Sequence, residues 1–220
     1  MRHKARAILC AALFWVPQAA LAHPHVYIDT GVEFLFDDQG RVEALRITWT
    51  YDELFSLMVV EDLGVDPDYD GKVDDAARNK LNGFDMDWDP DFVGDTYVLA
   101  SDAPVLLERP SDWTADYTNG KLVSTHVRRF AEPVDPVEKA VVVEAYDPGF
   151  YTAYTIVGQP VLTGRTDCTA QVFEPDLTAA DEQLKQALAE YDATVDLEME
   201  FPAIGAAYSD EIRLTCEDRS

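Results

Sequence analysis

Histidine and cysteine are scarce in this chain of 220 residues, and so is positive charge. Lysine and arginine together number 17 against 42 aspartates and glutamates, a formal charge of −25. A surface of that sign repels nucleic acid and anionic lipid, so neither is expected as a partner. It concentrates cations, and it also serves solubility, so charge alone does not separate the two roles. No apolar run approaches the roughly 18 residues that would span a bilayer. There is no P-loop, no dinucleotide fingerprint and no G-x-S-x-G elbow. Carboxylates are so common that a pair of them says nothing about acid–base catalysis.

What is present begins with an export signal. Arg2, Lys4 and Arg6 precede a short apolar run from Ala7 to Val16. Pro17 ends the run, and Ala20-Leu21-Ala22 forms an A-x-A cleavage signature. Residues 1–22 are therefore expected to be a signal peptide, and the mature chain to be a soluble periplasmic protein. Its removal takes away three cations and no acid, which leaves the chain still more acidic. It also removes Cys10, leaving Cys168 and Cys216. Two cysteines in an exported chain most often pair.

The pattern along residues 23–220 predicts a single α+β domain, mainly antiparallel. "VYIDTGVEFLFDDQGRVEALRITWTY" alternates around a turn at Asp37 to Gly40 and reads as a hairpin. A helix, an acidic loop and a second short helix form an insertion over about residues 51–90. Strands are expected in "DTYVLASDAPVLLERP", "GKLVSTHVRRFAEP", "EKAVVVEAYDP", "YTAYTIVGQPVLTG", "CTAQVFEP" and "EIRLTCED". "LTAADEQLKQALAEYD" reads as an amphipathic helix in the C-terminal half. Thr178 is its expected cap, Asp181 sits at the capping-box position, and Leu177, Leu184, Leu188 and Tyr191 share a face.

Two of the four histidines, His23 and His25, open the mature chain in "HPHVYID". If cleavage follows Ala22, the α-amine of His23 adds a third nitrogen. In an extended segment His23, His25, Tyr27 and Asp29 line one face. Imidazoles with one carboxylate suit zinc, nickel, cobalt or copper. The square-planar copper or nickel site built on a backbone amide is excluded, because the second residue is Pro24. An ordinary polar N-terminus is the alternative. His126, in "LVSTHVRRF", is either a structural histidine or a third imidazole of the same site.

"DPDYDGKVD" has the spacing of a calcium loop. Asp66, Asp68 and Asp70 fill its first, third and fifth positions, with Gly71 at the turn. Lys72 would offer a carbonyl at the seventh position, and Asp74 stands at the ninth. The twelfth position is Ala77 rather than glutamate, so calcium would bind weakly, at about 10⁻⁴ to 10⁻³ M. Asp75, Asp85, Asp87 and Asp89 are possible substitutes. An Asp/Gly turn that holds no ion is the other reading.

"HPHVYID", "WTYDE", "DYDGKVD", "AYDPGFYTAY" and "PAIGAAYSDEIRLTC" together resemble the domain-of-unknown-function 1007 family of exported bacterial proteins. Members are often labelled the periplasmic component of an uncharacterised ABC-type transport system, and they are often encoded near nickel/cobalt-type efflux permeases. The resemblance implies a divalent-metal-binding accessory protein whose partner is a membrane metal permease or ABC-type transporter. It carries over no catalytic residues and implies no enzyme. Members often close the acidic loop with a glutamate, and Ala77 departs from that. Two other readings stay open: a copper oxidase or monooxygenase with an N-terminal histidine brace, and a calcium-stabilised interaction module without transition metal.

Overall fold

The computed structural model describes residues 23–192, 194–197 and 200–218. The expected signal peptide and Cys10 lie outside them. In chain order the elements are β1 (Val26–Phe36), β2 (Val42–Tyr51), α1 (Glu53–Leu63), α2 (Asp75–Leu81), β3 (Thr96–Ala100), β4 (Ala103–Pro104), β5 (Ser111–Thr118), β6 (Lys121–Val134), β7 (Val141–Ala145), β8 (Thr152–Ile156), β9 (Val161–Thr163), β10 (Cys168–Phe173), α3 (Leu177–Ala189), a 3-10 turn at Gly205–Tyr208 and β11 (Glu211–Cys216). The fold is α+β.

The first hairpin forms as its alternation dictates. Phe34 pairs with Leu45, Val32 with Ile47 and Thr30 with Trp49 across β1 and β2. Asp37 closes the turn by accepting the backbone N–H groups of Gln39 and Arg41. Around the hairpin the first sheet runs β5-β6-β2-β1-β8, with β9 also paired to β1. The second runs β10-β11-β7-β3-β4. Pairing is antiparallel except where β8 and then β9 lie parallel to β1. One apolar cluster joins the sheets, from Phe34, Leu45 and Ile47 to Val141, Val143 and Ile212. No helix among the described residues is long and apolar enough to cross a membrane.

Three local expectations are corrected. "SDWTADYT" forms β5, although its alternation is too polar to announce a strand. The stretch after β4 is largely irregular, with only an isolated bridge from Leu107 to Phe130. The cap of α3 is Asp176, not Thr178: its Oδ1 accepts from the backbone of Thr178 and Ala179. A carboxylate favours a helix N-terminus more than a hydroxyl does, because it also meets the positive end of the dipole. Asp181, freed from any capping box, accepts a bond from the Tyr208 hydroxyl at 2.9 Å. The buried face of α3 is Ala180 and Leu184, while Leu177 is 59% exposed at the helix start.

Cys168 and Cys216 face each other directly across β10 and β11 and are bonded. The bond ties two cysteines 48 positions apart, which on chain entropy stabilises by roughly 4 kcal/mol. Replacing both cysteines by alanine should therefore lower the unfolding free energy measured in urea by roughly 4 kcal/mol, and the midpoint with it, without changing the far-ultraviolet spectrum. An unchanged midpoint would mean that the β10–β11 pairing already orders this loop in the unfolded chain.

Candidate metal sites

Four separate stretches of chain build the surroundings of His23 and His25. The first is β1, which starts just after them. The second is the start of α1. Asp52 caps that helix, its Oδ1 accepting from Leu54 and Phe55. Its Oδ2 accepts from the backbone N–H of Tyr27 at 2.9 Å, and its own N–H donates to the Tyr27 carbonyl. The third is the turn after β7. Asp147 accepts the backbone N–H groups of Gly149 and Thr152 and so folds the turn that presents Tyr151. The Tyr151 carbonyl accepts from the backbone of His25 at 2.8 Å. The fourth is the segment before β11. Gly205 donates to the Pro148 carbonyl, and a Cβ there would fall 1.8 Å from the Asp147 carbonyl oxygen. Only glycine lets these two segments meet.

The result is a cluster of rings. His23 and His25 lie edge to face with centroids 5.0 Å apart. His23 stacks on Phe201 at 4.2 Å, and His25 lies 4.7 Å from Tyr151. Both ring nitrogens of His23 are buried and have no hydrogen-bond partner. Orphaned imidazole nitrogens beside a second imidazole fit a transition metal by donor chemistry. The other residues expected at this site do not join it. Asp29 points the same way from β1 but is four residues from His25, about 13 Å along a strand. Among the described residues the pair has no third histidine, cysteine or carboxylate that completes a metal group.

His126 belongs to the core. It pairs with Ile47 on β2, which pairs in turn with Val32 on β1, seven residues and about 23 Å along the strand from His25. Its side chain is fully buried, 4.6 Å from Trp49 and 5.5 Å from Trp88 by ring centroids. Burial, with help from the nearby Arg128 charge, lowers its pKa to about 3. It is a neutral core imidazole, not a third ligand.

The acidic loop keeps its expected shape. Carboxylate oxygens of Asp66, Asp68 and Asp70 all lie within 4.8 Å of one another. Asp66 accepts from the backbone of Asp70 and Gly71, and Gly71 turns the chain at φ 75°. Asp74 caps α2 by accepting from Ala77. Lys72 turns its ammonium onto Asp70 at 3.1 Å, which competes with any cation for that carboxylate. Among the described residues no substitute fills the twelfth position. Asp75 pairs with Arg78, and Asp85 accepts from the hydroxyls of Tyr51 and Ser124. Asp87 and Asp89 also lie outside the three-carboxylate group.

The stretches that meet around the histidines are four of the five that carry the resemblance, and the fifth is the acidic loop. A family model covers residues 8–216. The chain belongs to the DUF1007 family, described as proteins of unknown function. Comparison with curated proteins gives no match. Sequence reasoning found the two histidines of this DUF1007 chain but not Tyr151, Phe201, Asp52 and Gly205, which frame them. Apart from Phe201 these lie inside the motifs already quoted, where the repeated Tyr, Phe, Gly and Asp were the available signal.

A second buried acid sets a pH response. Asp95 accepts from the Tyr154 hydroxyl at 2.9 Å. Burial, with the Asp147 charge adding to it, raises its pKa to about 7. Between about pH 4 and 6.5 folding thus leaves Asp95 protonated and His126 neutral. A raised acid loses its stabilising contribution as pH rises from about 4 to 7. A depressed histidine loses its contribution as pH falls from about 6.5 towards 3. Between about pH 4 and 6.5 the two slopes, each near 1.4 kcal/mol per pH unit, cancel. Asp95→Asn should expose the histidine slope, with stability relative to wild type rising with pH. Asparagine also tolerates the φ of 47° at this position. His126→Phe should expose the opposite slope. Parallel urea melts from pH 4 to 7 measure both, and flat differences in both variants would reject the coupling.

Proposed function

We propose that this DUF1007 chain is an extracytoplasmic divalent-metal-binding accessory protein of a membrane metal transport system, and not an enzyme. The observation that carries the reading is the convergence of four motifs on one pair of imidazoles. Such a frame is far more than an N-terminus needs for its own stability. His23 and His25 would hold zinc, nickel, cobalt or copper, and cleavage after Ala22 would add the α-amine of His23 as a third nitrogen. The paired cysteines agree with an oxidising compartment, and the N-terminal basic and apolar run agrees with a signal peptide delivering the chain to the periplasm. The acidic surface would raise the local concentration of cations near the site.

Titration calorimetry on the mature chain at neutral pH tests this. His23→Ala with His25→Ala should weaken zinc, nickel or copper binding by more than about tenfold while leaving the melting temperature nearly unchanged. The pair sits at the edge of the fold and contributes no buried core residue. Equal affinity in the double variant would leave the histidines as an aromatic packing detail.

The acidic loop favours a second, compatible reading as a weak calcium site. Its three close carboxylates and capped flanking helices are the support. Millimolar calcium should raise the melting temperature, and Asp68→Asn with Asp70→Asn should abolish the rise. The same rise in that variant would place calcium elsewhere.

A further inference from the structure

Arg128 is 3% exposed in a chain where acids outnumber bases 42 to 17. A buried guanidinium normally faces a carboxylate. This one does not. Its Nε donates to the Glu108 carbonyl at 2.9 Å and its Nη1 to the Val93 carbonyl at 2.8 Å. Among the described residues no acid lies within ion-pair distance of it. Arg109 stands nearby and likewise donates only to carbonyls, those of Asp89 and Trp88. Both guanidiniums lie over the Trp88 indole, at 4.9 and 5.6 Å from the ring centroid. Two like charges share one indole while the many acids of the chain stay away.

Both arginines line a cavity of about 450 Å³. Its walls include Trp88, Phe92, Tyr97, Leu99 and Tyr146, and its one acid is Glu144. Tyr97 and Tyr146 stack at 4.0 Å and make a rigid wall. Gly94 fixes the arrangement. It adopts φ 81°, and a Cβ there would lie 2.4 Å from both Arg128 Nη1 and the Trp88 ring. The volume and the lining, mostly apolar with a few placed polar groups, are those of a small-molecule site.

We propose that this cavity binds a small monocarboxylic acid with an aromatic or branched apolar body. The carboxylate meets Arg128 and Arg109, and the body packs on Trp88, Phe92, Tyr97 and Tyr146. A guanidinium fork matches a carboxylate in shape and charge. A dianion such as inorganic phosphate would meet the same guanidiniums but lose more hydration against the apolar walls and bury no apolar surface to offset it. The overall acidic field repels anions in general, so only one that also buries apolar surface is retained. The site does not depend on the metal reading, and it is tested with chelator present.

The probe is 3-phenylpropionate, with the neutral 3-phenylpropionamide and the cationic 3-phenylpropylamine as controls. Calorimetry and tryptophan fluorescence on the full mature chain should show the acid binding at least about tenfold more tightly than the amide, and no binding of the amine. Arg109 is exposed, so Arg109→Gln should keep the fold and weaken the acid by about tenfold without changing the amide. Arg128→Met should abolish acid binding. If that variant unfolds, Arg109→Gln and the acid–amide comparison still decide. Equal affinity for acid and amide, no acid binding up to about 10 mM, or wild-type affinity in Arg109→Gln would overturn the assignment.

Discussion

One carboxylate joins the two halves of the candidate metal region. Asp52 caps α1 with one oxygen and holds the backbone of Tyr27 with the other, while its own N–H returns a bond to the same residue. The start of β1 is thereby fixed against the start of the helix. Without that clamp, His23, Pro24 and His25 would be held only by the Tyr151 turn and the Phe201 ring. The same clamp orients α1, whose eleven residues span about 16 Å. The histidine pair lies near one end of that helix and the acidic loop follows the other. One side chain therefore sets the placement of both candidate cation sites.

The inner face of the first sheet carries polar residues that surface logic would put outside. Thr30, Trp49 and Ser124 form one transverse row, and His126 stands one step along β6. Asp85 sits on this face and accepts from Tyr51 and Ser124, and burial raises its pKa. Asp95 and Tyr154 form a second buried pair. Each acid is held by hydroxyl donors rather than by cations. In so acidic a chain cations are few, and hydroxyls satisfy a buried carboxyl whether it is charged or protonated. Of the two buried arginines among the described residues, Arg165 pairs with Asp167, whereas Arg128 is held by carbonyls.

How legible this was depended on the strand. β1 alternates cleanly, so its hairpin with β2 followed from period two alone. β6 defeats the same rule. Leu122, Ser124, His126, Arg128 and Phe130 all turn inward, while Val123 and Thr125 face the other way. Hydrophobicity along "KLVSTHVRRF" has no single face, so nothing in it told that His126 is buried or that Arg128 is unpaired. The parallel pairing of β8 with β1 was equally hidden, because it is set by a long return of the chain rather than by any local turn. At the metal region the reverse held. The spacing of His23 and His25 and of the three loop aspartates was visible at once, but their frame was not. Phe201 and Tyr151 reach the histidines only through tertiary contacts more than a hundred residues away in sequence, and Gly205 acts one step further out, on the Asp147 turn.

Charge and geometry divide the work between them. The acid excess acts at long range and draws every cation towards the surface without choosing among them. Choice needs donors of a fixed type at fixed positions. The ring cluster supplies nitrogen and excludes most water from His23, which favours borderline metals over hard ones. The acidic loop supplies only oxygen, and Lys72 already occupies part of it, which favours a hard ion bound weakly. A cation entering this field thus meets two candidate sites of opposite donor chemistry at the two ends of one helix. If both sites of the proposed reading bind, loading one would not compete with loading the other, because each would select by ligand chemistry while the shared field merely delivers.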